Sequence, residues 1–66
     1  MAITDCNKAI EINPRDDVAY LNRALSYYFK GDYDNAWEDV HKLESLGYEV
    51  HPELLKALRE DSGREK

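Results

Sequence analysis

Cys6, His41 and His51 are the side chains of this sequence suited to act as nucleophile, general base or metal ligand, and Asp32/Asp34 and Glu38/Asp39 place carboxylates in close pairs. Such groups do chemistry only when they converge: a nucleophile on its base, two acids on one substrate, three or four ligands on one ion. Their spacing argues otherwise. Cys6, His41 and His51 show no short metal-ligand spacing. His41 falls on the polar side of a helix, opposite Val40 and Leu43, and His51 stands before Pro52, where it caps the next helix. The paired acids read as turn residues, helix-start charges and a solvated face. No glycine-rich phosphate loop is present. No catalytic residue, metal site or cofactor is therefore expected. As a lone cysteine, Cys6 forms no internal disulfide and is expected to be a small buried hydrophobe.

The elements that would position these groups come from a short chain. Sixty-six residues make one small domain, near the size where a single core barely offsets chain entropy. Nine basic against fourteen acidic residues leave a net charge of -5, so there is no basic field for nucleic acid or an anionic membrane surface. No apolar run approaches the length of a membrane span. The opening MAITDCNKAIEIN lacks the order of a signal peptide, and a cytoplasmic setting is expected.

Apolar or small residues at Ala2, Ile3, Cys6, Ala9 and Ile10 mark one face of a first helix, ended by Asn13-Pro14. Asp16 or Asp17 caps a second helix that runs through Lys30 to Gly31. A third is expected from about Asp34 to Leu46, with Ala36, Trp37, Val40, Leu43 and Leu46 inward and Gly47 as its stop. HPELLKALRED starts a fourth at Pro52, with Glu53 in its first turn. No segment alternates like a strand.

A 34-residue slide pairs Ala2 with Ala36, Asp5 with Asp39 and Lys8 with Lys42, and a 33-residue slide pairs Leu21 with Leu54, Ala24 with Ala57 and Leu25 with Leu58. The first and third helices, and the second and fourth, thus look like copies. Within AYLNRALSYYFKGDYDNAWEDVHKL, residues Tyr20, Ala24, Tyr27, Gly31, Tyr33 and Ala36 resemble the tetratricopeptide repeat. The resemblance implies an all-α, antiparallel helix-turn-helix repeat of four helices, a fragment of an α-solenoid. Residues 1–14 would be the second helix of a preceding repeat, 15–50 a complete pair, 51–61 a capping helix and 62–66 a frayed tail. On this frame the chain opens in mid-repeat, as either the C-terminal piece of a larger array or a deliberately shortened chain would. Departures are Arg23 where the repeat usually has Leu, and Val40 and Cys6 where a large aromatic is common.

The stretch YYFKGDYDNAWED holds five of the seven aromatic residues (Tyr 5, Phe 1, Trp 1). Tyr20, Ala24 and Tyr27 lie on one arc of the second helix and are expected to hold helices together rather than form a ligand cage. A second apolar stripe, Val18, Leu21, Leu25, Tyr28 and Phe29, lies about 140° away around the same helix. Leu54, Leu55 and Leu58 are expected to cover part of it and leave the rest open, and two copies would satisfy the remainder with twofold symmetry, as a homodimer.

By resemblance, the stripe faces a groove where protein or peptide partners lie, which assigns partner binding to Val18, Leu21, Asn22, Leu25, Tyr28 and Phe29. Where one variant of the family clamps the terminal carboxylate of chaperones with Lys, Asn and Arg, this chain has Leu21, Leu25 and Asn22. That clamp is not expected. The resemblance implies a non-catalytic protein-interaction or scaffold module. The alternative is an accessory fragment of a larger enzyme or regulatory protein whose active domain lies outside these residues.

Overall fold

The computed structural model describes residues 3–65, so Ala2, expected on the first helix, lies outside the described residues. The described chain folds as α1 (Ile3–Ile12), α2 (Asp17–Lys30), α3 (Tyr33–Ser45) and α4 (Pro52–Ser62). Each boundary has a local cause. Asp16 precedes α2 with an extended backbone, and its carboxylate accepts the Ala19 N–H at 3.2 Å, satisfying an amide that the first helical turn leaves open. Gly31 ends α2 at φ 87°, a left-handed conformation that a Cβ would disfavour. There the Gly31 and Asp32 amides return to the Tyr28 and Tyr27 carbonyls at 3.0 and 2.9 Å.

Asp32 precedes α3 without a side-chain cap hydrogen bond, and α3 begins at Tyr33, one residue before the expected start. Leu46 follows its last residue, and Gly47 turns the chain away at φ 86°. His51 does cap α4: its Nδ1 accepts the Glu53 N–H at 3.2 Å, just ahead of Pro52. α4 continues to Ser62, one residue past the expected 51–61.

α2 packs most extensively against α3, next against α1, and α4 lies against α3. The link between α2 and α3 is so short that these packed helices must run antiparallel. Ala24 and Ala36 are fully buried, and their small side chains let the helices approach closely. Tyr20, Trp37, Val40, Leu43, Val50, Leu54 and Leu58 fill the rest of the core. Cys6 is buried on α1.

Complete burial of Leu58 contributes about 2 kcal/mol. The exposed Arg64–Asp34 ion pair at 2.8 Å adds less than about 1 kcal/mol. α4 is therefore held mainly by its leucines.

Candidate functional site

α2 carries charge into the buried side of the bundle. Ala19, Tyr20 and Ala24 are buried, and helical geometry places Arg23 within the arc they define. A cation there needs partners. Its Nε donates to Asp39 Oδ2 of α3 at 2.8 Å, its Nη2 bonds Asp39 Oδ1, and its Nη1 donates to Asn7 Oδ1 of α1 at 2.9 Å. One guanidinium thus ties three helices. The Tyr20 and Tyr27 ring centroids lie 5.4 and 5.9 Å from its central carbon, adding cation–π attraction. The hydrogen bond to Asp39, partly opposed by burial, raises the Arg23 pKa further.

This overturns the reading of Asp39 as part of a solvated face: it is 2% exposed. It borders the inward row Ala36, Val40 and Leu43, on the side turned to Arg23. The signal was present in the sequence as a charge within the Ala19–Tyr20–Ala24 arc, but its partner lies across a helix interface.

Tyr20 and Trp37 belong to the core, while Tyr28 contacts Phe29 and Tyr33 at centroid distances of 5.4 and 5.9 Å. These rings build helix contacts. His41 is exposed and lies against Trp37, with centroids 5.8 Å apart. Burial pushes the Cys6 thiol pKa up, which disfavours the reactive thiolate. Among the described residues, no His, Cys, Asp or Glu side chains gather into a group of three that could hold a metal ion. Among the same residues, no helix is long and apolar enough to cross a membrane.

The structure gathers the six candidate partner-binding residues on α2 but exposes them unequally. Val18 and Phe29 are 58% and 81% exposed, whereas Leu21, Asn22, Leu25 and Tyr28 are half-buried. Leu21, Leu25 and Tyr28 pack against the core, as does Leu55 of α4. Tyr28 Oη donates to Asp61 Oδ2 and links α2 to α4, a bond that raises the phenol pKa. The other flank of α4 turns to α3, where Trp37 Nε1 donates to Ser62 Oγ at 3.1 Å. Val18, Asn22, Leu25 and Phe29 recur at spacings of four, three and four, which align them as one ridge along the outer side of α2. The concave depressions lie elsewhere, one lined by Arg59, Glu60, Gly63, Arg64 and Glu65 and another by Arg15, Asp17 and Leu46 to Glu49.

Antiparallel helix pairs stacked side by side, with an apolar ridge on one of them, define the class as a helical-repeat fold. The family model for the tetratricopeptide repeat matches residues 6–38, half of the chain. The chain belongs to this family of protein–protein interaction modules. The matched window begins within α1, includes all of α2 and ends within α3. No solved structure gives a significant match.

Proposed function

We propose that this chain is a non-catalytic protein-interaction module whose contact surface is the outer ridge of α2. The ridge engages a peptide or helix of another protein, or a second copy of the chain. One observation carries this reading: Val18 and Phe29 stand exposed at the two ends of a ridge whose middle member, Leu25, is half-buried. Apolar side chains aligned on a small domain favour a partner that removes them from water. Arg23 and Asp39 hold the helix that carries them against α1 and α3, so the ridge is presented on a fixed support.

A displayed peptide library selected on the native chain and counter-selected on Leu25→Asp tests the reading, alongside sedimentation velocity of both proteins over a hundredfold concentration range. Ligands or dimers that Leu25→Asp abolishes support it. Absence of both, or ligands indifferent to the substitution, contradicts it.

A further inference from the structure

The charges around the α2 ridge identify the chemistry of its partner. Helical geometry divides α4 into two flanks on either side of the buried Leu54 and Leu58. Ser62, bonded to Trp37, marks the flank against α3, and Asp61, bonded to Tyr28, marks the flank against α2. Glu53, Ala57 and Glu60 share the Asp61 flank by their spacing, and Glu53, Glu60 and Asp61 are all exposed. From α2 itself, Asp17 stands on the same side as Leu21 and Tyr28, in line with them at helical spacing. The side of the ridge nearest α4 is therefore walled by carboxylates.

The neighbouring cations offset this wall only in part. Lys56 lies on the outermost side of α4, and Arg59 falls on the Ser62 flank, where its Nε donates to the Glu65 carbonyl at 2.9 Å. Arg64 pairs with Asp34 of α3 at 2.8 Å. On α2, Lys30 lies on the side turned away from α4. Lys56 is three residues from Glu53 and four from Glu60, Arg15 shares a depression with Asp17 and Glu49, and Arg59 and Arg64 share one with Glu60 and Glu65. With Arg64 also paired to Asp34, the carboxylates around the ridge still outnumber the cations.

From this arrangement we infer that the ridge docks an amphipathic helix with an apolar stripe and lysine or arginine flanks. The inference rests on the proposed role of α2 as the contact helix and adds the partner's chemistry. The four-three-four ridge offers alternating knobs that an apolar helix face interlocks with. The carboxylates at Asp17, Glu53, Glu60 and Asp61 then meet basic flanks, which speeds encounter and selects against acidic partners. A second copy fits less well, because each chain carries a net charge of -5 and pairing ridge to ridge brings like charges together.

Fluorescence anisotropy with three labelled synthetic peptides tests the inference. One is a helix with a leucine stripe and lysine flanks, the second replaces the lysines with glutamates, and the third scrambles the first. The lysine-flanked helix should bind roughly tenfold or more tightly than the glutamate-flanked one, with the difference shrinking as salt rises. Leu25→Asp should abolish binding, and Glu53→Lys with Glu60→Lys should reverse the preference. Glu60→Lys alone serves as a milder variant, because Glu53 is in the first turn of α4, where an acid favours the helix.

Equal or better binding of the glutamate helix overturns the charge assignment and leaves α2 as the contact surface. Equal binding of the scrambled peptide shows nonspecific attraction and overturns the inference. Dimerisation lost in Leu25→Asp, with no peptide bound, makes the second copy the occupant and also overturns it. Failure of every association overturns both this inference and the reading on which it rests.

Discussion

Arg23 of α2 and Asp39 of α3 form a two-bond ion pair across the central helix interface, with side-chain exposures of 21% and 4%. Their contact sets how α2 lies on α3 and therefore where the outer ridge of α2 points. Among the described residues, no buried side-chain nitrogen or oxygen lacks a hydrogen-bond partner, so the charges are accommodated within the bundle.

Removing one member should be more harmful than removing both. Asp39→Ala leaves a largely buried guanidinium without its carboxylate and should destabilise the fold by about 2–3 kcal/mol, below the full buried-pair range because Arg23 retains some water contact. Arg23→Met combined with Asp39→Leu should cost less than Asp39→Leu alone, and so less than the sum of the two single changes. Urea denaturation of the native chain, Arg23→Met, Asp39→Leu and the double variant measures the coupling, and strict additivity would show that the pair is energetically idle.

Cys6 should be chemically quiet in the folded chain. It is completely buried, and burial raises its thiol pKa, so both access and thiolate population are low. Labelling by a disulfide reagent at mildly alkaline pH should run on the order of a hundredfold slower than in urea, at a rate governed by opening of the helices. Equal rates in the two conditions would show that α1 does not shield it.

Alkaline pH should weaken the link between α2 and α4. The hydrogen bond from Tyr28 to Asp61 raises the Tyr28 pKa above its ordinary value, about 10 for a phenol. A raised folded-state pKa means that the protonated form is favoured by folding. Its contribution is complete below the unfolded value and is lost as pH rises through the folded one. Stability relative to Tyr28→Phe should hold steady at neutral pH and decline above about pH 10. A constant difference between the two proteins at alkaline pH would contradict this link.

Helix boundaries were legible where one residue and its immediate neighbours decide them. Asp16, Gly31, Gly47 and the His51-Pro52 pair end or start helices through local backbone chemistry. α3 starts one residue earlier than expected, at Tyr33, with Asp32 as the residue before it, whose carboxylate accepts from the Asn35 side chain rather than from a backbone amide. The apolar stripe of α2 was likewise readable, since helical period places Val18, Leu21, Leu25, Tyr28 and Phe29 together. Their degrees of cover were not. Tyr28 meets Asp61 and packs on the core whereas Phe29 does not, a distinction set by how α4 docks. The Arg23–Asp39 pair spans 16 residues of sequence and becomes visible only when α2 and α3 are laid against each other.

Amide NMR spectroscopy of the chain titrated with the lysine-flanked helix tests the α2 ridge most directly. Saturating shifts at Val18, Asn22, Leu25 and Phe29, with smaller ones at Glu53 and Glu60, are the expected result. Saturating shifts confined to the outer face of α3, around Glu38, His41 and Lys42, would place the contact surface on the other side of the bundle and contradict the central claim.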